Sequence, residues 1–214
     1  MIFGKIEYLN LLPFHVFMKR FTRSSQEAQN MQYYKNVPSA VNARFMAGKA
    51  DAAFISSITA KKHKNVGLGI IAKGEVLSVL LVPNLSHKTD KASASSNALA
   101  NVLDLRGEVI IGDKALVYFL EGKEHIDLAK EWNKRYNLPF VFALLCFHKE
   151  KKLYKEIEKK FLSAPVKIPQ YLLKKASQRT NVNPQDILHY LKFISYDLDA
   201  KAQKGLKLFY KLSK

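Results

Sequence analysis

Apolar residues along this chain fall into two patterns. Short continuous runs have the length and branched or aromatic content of buried strands. These runs are Ile2 to Tyr8, Ala52–Ile55, Gly67–Ala72, Val76–Val82, Val109–Ile111 and Leu138 to Ala143. Between them, apolar positions recur every three or four residues, as on one face of a helix. Phe14, Phe17, Met18 and Phe21 form such a face after Pro13, and Val41, Phe45 and Met46 form another after Val37-Pro38-Ser39, ended by Gly48. Helices are also expected over Ala98–Leu105, stopped by Gly107, from Asp113 through Tyr118, and over Ile126–Tyr136, which holds the lone Trp132. Gln32–Lys35 reads as a short strand, and Arg23–Gln29 and 83–90 as loops. From Lys149 onward only helices are expected: Lys151–Leu162, Pro169–Gln178, a third starting at Asn183-Pro184, and Ala200–Leu212.

Strands that alternate with helices make an α/β fold. Chain crossings between two units are expected near Pro83 and near Phe142–Phe147. Residues 1–82 and 147–214 would then form a discontinuous first lobe, and 83–146 an inserted second lobe.

Small polar clusters stand where apolar runs end: Tyr8-Leu9-Asn10, Ile55-Ser56-Ser57, Val76-Leu77-Ser78 and Ile111-Gly112-Asp113. In open α/β sheets, ligands bind beyond the carboxyl ends of strands, so these clusters read as the wall of one small-molecule cleft. Each residue also has a structural reading. Asn10 can bond a ligand or close an Asx-turn, and Ser78 can bond a ligand or a neighbouring carbonyl. Ser56 and Ser57 can cap a helix or help hold an anion at its amino end, and Ser95, Ser96 and Asn97 repeat that choice in the second lobe. Asp113 can act as an acid or orienting group, with a helix cap as its structural reading. None of the clusters supplies a histidine, a cysteine or a pair of carboxylates, so no metal site and no strong protein base is expected.

The net charge of +17 calls for an anionic partner or a lysine-rich solvated surface. Residues 147–214 hold 16 Lys and Arg against 6 Asp and Glu, and Lys149, Lys152, Lys155 and Lys159 fall at solvent spacing. No aromatic platforms are interleaved with them, so a solvated surface is the better account and no nucleic acid is expected. The helices around 178–191 loosely resemble a helix-turn-helix, but Ile187, Leu188, Leu191 and Ile194 suit core packing. Cys146 stands alone, which excludes an internal disulfide framework and fits a reducing compartment. No apolar run is long enough for a membrane span, and the N-terminus lacks the pattern of a cleaved signal, so a cytoplasmic protein is expected.

The string Gly4-Lys5-Ile6-Glu7-Tyr8-Leu9-Asn10 with Pro13 resembles the opening of the chorismate dehydratases of the futalosine route to menaquinone. The resemblance continues through Pro38, Gly48-Lys49-Ala50-Asp51, Phe54-Ile55-Ser56-Ser57-Ile58 and Val76-Leu77-Ser78-Val79-Leu80-Leu81. It runs on through Ile111-Gly112-Asp113-Lys114-Ala115-Leu116, Asp127-Leu128 with Trp132, and Leu138-Pro139-Phe140-Val141-Phe142-Ala143. The end resembles the family's tail at Tyr190-Leu191, Ser195-Tyr196-Asp197-Leu198, Gly205-Leu206 and Phe209. The compact ε-proteobacterial form is the best match, with a shorter stretch between Leu81 and Val109 than in larger members.

The resemblance implies a two-lobed fold similar to type II periplasmic binding proteins, with the ligand between the lobes. It implies a hydro-lyase that removes water from chorismate to give 3-[(1-carboxyvinyl)oxy]benzoate, without a cofactor. On that reading Asn10 and Ser78 serve catalysis, while Ser56, Ser57, Ser95, Ser96, Asn97, Gly112 and Asp113 hold substrate. Two alternatives share the fold: a non-catalytic binder of small anions, and a sister enzyme later in the same pathway. The sister is expected to carry a catalytic histidine near its cleft, and none of the 6 histidines here lies in a strand-end cluster.

Overall fold

The computed structural model describes residues 1–24 and 31–214. The strands are β1 (Ile2–Lys5), β2 (Gln32–Lys35), β3 (Ala52–Ser56), β4 (Asn65–Ala72), β5 (Val79–Val82), β6 (Glu108–Ile111), β7 (Ile126–Asp127), β8 (Phe140–Phe147) and β9 (Ile194–Asp197). The helices are α1 (Leu12–Ser24), α2 (Pro38–Met46), α3 (Ser57–Ala60), α4 (Ala94–Val102), α5 (Asp113–Leu120), α6 (Leu128–Tyr136), α7 (Lys151–Leu162), α8 (Gln170–Thr180), α9 (Pro184–Leu191) and α10 (Ala200–Leu212), with a single 3-10 turn at Leu9–Leu11.

The apolar faces read from the sequence become packing faces. Phe14, Met18 and Phe21 are buried along α1, and the Phe14 ring stacks on Phe3 of β1 at 5.9 Å and meets Phe54 of β3 edge-on at 5.0 Å. In α7, Leu153, Tyr154, Ile157 and Phe161 face inward, while Lys152, Lys155 and Lys159 face solvent. Pro38 opens α2 at a position where a missing N–H costs nothing. Met46, expected on that helix's buried face, is the last helical residue and is instead 52% exposed.

Among the described residues, nine strands form two sheets. The larger has the order β2-β1-β3-β8-β4-β9 and the smaller β6-β5-β7. β1 is parallel to β2 and β3, whereas β8 runs antiparallel to both β3 and β4. The carboxyl ends of β1, β3 and β4 therefore lie at one edge of the large sheet, which faces the small one.

The crossings fall earlier in the chain than the sequence suggested. β5 pairs with β6 and β7, so 79–82 belongs to the small sheet; β8 pairs with β3 and β4, so 140–146 belongs to the large one. The chain thus leaves after Ala72 and returns at Phe140, and those two residues are register partners. Continuous apolar runs gave no mark of these points, because strands on both sides of each crossing are buried.

Three further expectations change. Val76–Ser78 is not strand: Leu77 has φ 61°, and this kinked segment leads into β5. Ile126 and Asp127 form a two-residue strand ahead of α6 rather than its first turn. Ile194–Asp197 is a strand that adds to β4, not a helix or its flank. The expected loop Arg23–Gln29 enters α1 at its first two residues and otherwise lies outside the described residues.

One carboxylate fixes the outgoing crossing. Asp127 accepts the backbone N–H groups of Val76 at 2.9 Å and Leu77 at 2.7 Å, and caps α6 through Lys130 N–H at 3.0 Å. Burial pushes its carboxyl above the usual range, against the pull of those donors. Replacing Asp127 with Ala leaves the two buried donors of the crossing and the helix cap unsatisfied. The expected loss is about 3 kcal/mol in urea unfolding, with Asp127→Asn, which keeps one acceptor, losing roughly half as much.

Candidate functional site

Between the sheets lies a narrow cleft of about 590 Å³, part of it open to solvent. Its walls come from the strand ends and the two crossings. The turn after β1 contributes Tyr8, Asn10 and Leu11; the end of β3 gives Ser56; the outgoing crossing gives Val76 and Ser78. The second lobe adds Ser93 and Ser96 at the start of α4, and Ile111 and Gly112 at the end of β6. Ile6, Phe54, Ile70 and Phe142 make an apolar floor. Among the described residues, no Lys, Arg, His, Asp or Glu lines it.

Antiparallel pairing explains why Ser78 and Gly112 meet. Ser78 stands at the amino end of β5, not at a strand's carboxyl end as expected, and β5 runs against β6. The start of one strand therefore lies beside the end of the other, joined by Gly112 N–H to the Ser78 carbonyl at 2.8 Å. Gly112 has φ 70°, and a Cβ there would lie 2.7 Å from the Tyr8 ring, so the aromatic ring of lobe one rests on bare backbone of lobe two.

The expected site residues divide into two groups. Asn10, Ser56, Ser78, Ser96 and Gly112 line the cleft. Asn10 is held by its backbone, its carbonyl accepting the Tyr196 hydroxyl at 2.6 Å, and its amide side chain has no partner among the described residues. Ser78 Oγ bonds the Tyr190 hydroxyl at 2.8 Å rather than a neighbouring carbonyl. Ser56 occupies the cap position of α3, but its hydroxyl accepts Asn42 Nδ2 at 2.9 Å and does not cap the helix.

Ser57, Ser95, Asn97 and Asp113 are outside the cleft lining, and each is held elsewhere. Ser57 Oγ and Ser95 Oγ bond one another at 3.0 Å, and Ser95 also accepts Ile58 N–H at 3.2 Å, so this pair joins α3 to α4. Asn97 clasps the backbone of Asp90 through both ends of its amide, at 3.0 and 2.8 Å. Asp113 accepts Leu9 N–H at 2.9 Å and pairs with Arg179 at 2.8 Å, tying α5 to the turn that carries Asn10 and to α8. Burial raises the Asp113 carboxyl, while Leu9 N–H and Arg179 pull it back. It is a clamp between lobes.

Tyr8, from the first strand-end cluster, and Ser93 line the cleft as well, though neither was given a role of its own. Ser93 is the true cap of α4, accepting Ser96 N–H at 3.2 Å. Four serine and alanine residues in a row, Ser93 to Ser96, give no sequence sign of which one is the cap. Burial, with Asp90 and Asp113 nearby, pushes the Tyr8 phenol up to about 12, so it stays a hydrogen-bond donor.

A model of a protein family described as menaquinone biosynthesis matches residues 1–104 and 91–214. The chain belongs to that family. It is also 44% identical over 218 residues to a chorismate dehydratase of Campylobacter jejuni, covering 100% of this chain and 98% of the relative. Among solved structures, a protein of Archaeoglobus fulgidus superposes with a TM-score of 0.75 at 11% identity, covering 99% of this chain and 96% of the other. A Candida albicans protein described as exhibiting the generic periplasmic binding protein fold superposes with a TM-score of 0.53 at 11% identity, covering 100% and 89%. This family member therefore has the two-lobed periplasmic-binding-protein-like fold expected from its sequence. Among the described residues, no helix is long and apolar enough to cross a membrane.

On the far side of Tyr8 a larger groove carries basic residues, but most are already paired. Glu7 bridges Lys5 at 3.2 Å and Lys35 at 3.5 Å, and Lys19 donates to the Tyr171 hydroxyl at 3.3 Å. His15 lines this groove. Its Nε2 is 2.7 Å from the Ile6 carbonyl, and since a carbonyl only accepts, Nε2 carries the hydrogen. Burial lowers its pKa to about 4, outweighing the Ile6 bond.

In the unfolded chain His15 titrates near ~6.5, so between there and about 4 the unfolded state binds the extra proton. This contribution to stability is complete above that window and is lost as pH falls through it. The expected outcome is a melting temperature that drops across that interval. In His15→Gln, which can still donate to Ile6 but does not titrate, that part of the curve should flatten in calorimetric scans.

Proposed function

We propose that this protein is a chorismate dehydratase, a hydro-lyase that converts chorismate to 3-[(1-carboxyvinyl)oxy]benzoate and water in menaquinone biosynthesis. The observation that carries the reading is the meeting of Asn10 and Ser78 in one neutral cleft, in a chain that matches a chorismate dehydratase over its full length. The lone buried Cys146 suits a reducing compartment, and the reading places the enzyme in the cytoplasm.

Chorismate is a dianion, and the cleft offers it hydrogen bonds rather than counter-charges. The amino ends of α4 and α5, entered through Ser93 and Gly112, present N–H groups on the second-lobe side. Together with Ser96 they suit one carboxylate, and the surrounding field of a chain with net charge +17 favours the approach of a dianion. The one-turn helix α3, considered for this task from the sequence, is too short to add a comparable dipole.

The elimination removes a proton from the ring carbon bearing the ether and hydroxide from its neighbour. The C–H electron pair becomes the last double bond of the aromatic ring, so the reaction is redox-neutral and strongly downhill. Among the described residues, no lining side chain is a strong base. The substrate's own enolpyruvyl carboxylate takes the proton, and that proton leaves with the hydroxide as water. The protein's task is to hold that carboxylate against the C–H bond and to donate to the departing oxygen. Asn10, with its unengaged amide, and Ser78 are assigned to these contacts.

Adding chorismate should produce a new aromatic ultraviolet band, and a product lighter by one water in mass spectrometry. Binding without product would instead favour a non-catalytic anion binder. Asn10→Ala and Ser78→Ala should each lower kcat roughly 10- to 100-fold without abolishing it, since no single residue carries the proton. Asp113→Asn, which keeps an acceptor for Leu9, should retain activity within about threefold while losing ~1 kcal/mol of stability with the Arg179 pair. A folded but inactive Asp113→Asn enzyme would point to a protein base.

A further inference from the structure

Tyr190 is 1% exposed on α9, a tail helix far along the chain from the cleft segments, yet its hydroxyl lies 2.8 Å from Ser78 Oγ. Ser78 is itself 2% exposed and lines the cleft. Two hydroxyls that share one hydrogen bond leave one hydrogen over, and which one is left decides what Ser78 can do. A phenol is far more acidic than an alkyl hydroxyl and is the better donor. If the serine donated instead, the phenol hydrogen would need another acceptor inside the core. The Tyr190 side chain makes no second hydrogen bond among the described residues. The phenol hydrogen therefore goes to Ser78 Oγ, and the serine hydrogen is left for the cleft.

We propose that Tyr190 is a positioning residue for the dehydration: it donates to Ser78 Oγ, fixes that side chain's rotamer, and turns its O–H toward the departing hydroxyl of the substrate. The inference rests on the chorismate reading above. A hydroxyl that accepts one hydrogen bond becomes a stronger donor in the next, so the chain Tyr190, Ser78, substrate is cooperative. Burial also pushes the Tyr190 phenol well above its usual range, so the donor keeps its hydrogen at any pH near neutral. The same tail segment repeats the device on the other wall, where the Tyr196 hydroxyl donates to the Asn10 carbonyl at 2.6 Å. Neither tyrosine lines the cleft.

The test is a double-mutant cycle on the full chain, read as kcat and KM with chorismate. Tyr190→Phe removes a single oxygen and should lower kcat about tenfold, with KM changed less than about threefold. In a Ser78→Ala background the same substitution should have no further effect on kcat. Tyr171→Phe, on the exposed face of α8, serves as the control and should match wild type. The proposal is overturned if Tyr190→Phe leaves kcat unchanged, or lowers it by the same factor with and without Ser78, as a merely structural role would.

Should Tyr190→Phe fail to fold, 3-fluorotyrosine placed at position 190 gives a more acidic phenol in nearly the same volume. It should raise kcat when Ser78 is present and not in Ser78→Ala; an equal response in both overturns the proposal. Wild-type protein that binds chorismate without converting it would sink the dehydratase reading alone. The cycle is then read on the Kd for chorismate, with the same pattern expected and the same additivity overturning it.

Discussion

The position of Ser78 and Gly112 in the cleft depends on how one buried carboxylate holds the outgoing crossing. Asp127 accepts from Val76, Leu77 and Lys130, so a single side chain joins the kinked segment before β5 to the first turn of α6. Leu77 has a left-handed φ of 61°, a conformation unfavourable for a γ-branched residue, and two of these bonds close around it. The kink sets where Ser78 faces, and the antiparallel partner β6 then delivers Gly112 beside it. Asn10 arrives from the other sheet and is held in its turn by Tyr196 and by the Asp113 bond to Leu9.

The cleft's chemistry follows from what surrounds it. Charged groups around the cleft are already paired: Asp113 joins the lobes through Leu9 and Arg179, and Glu7 bridges Lys5 and Lys35 within the large-sheet lobe. What remains inside is hydroxyl, amide and backbone N–H on an apolar floor. A neutral wall of this kind suits a substrate that brings its own negative charge and its own proton acceptor. A fixed carboxylate there would repel the dianion, and a fixed ammonium would hold the dianionic product as firmly as the substrate.

Much of this was legible in the chain before the structure. Most of the strand runs, the helix faces of α1 and α7 and the convergence of Asn10, Ser56, Ser78 and Gly112 followed from apolar periodicity and from polar residues at the ends of runs. The lobe boundaries did not follow, because β5 and β8 are as buried as the strands they were grouped with and only pairing tells them apart. The roles of Ser57, Ser95, Asn97 and Asp113 were also hidden. Each is a small polar group at a helix start, and whether it faces a ligand or a neighbouring element depends on packing between segments distant in sequence. Tyr190 and Tyr196 gave no local signal either, since one sits on an amphipathic helix as an ordinary core residue and the other on a strand missed altogether.

The side-by-side passage of the chain between the sheets has a mechanical consequence. Ala72 and Phe140 are partners in one ladder of the six-stranded sheet, so the chain leaves and re-enters the large sheet at adjacent positions. Such a ladder resists sliding of one strand along the other, because a slip of one residue, about 3.3 Å, breaks every rung and turns each side chain over. The two points where the chain passes between the sheets are thus held side by side, and the floor residues Ile70 and Phe142 next to them keep their place relative to one another.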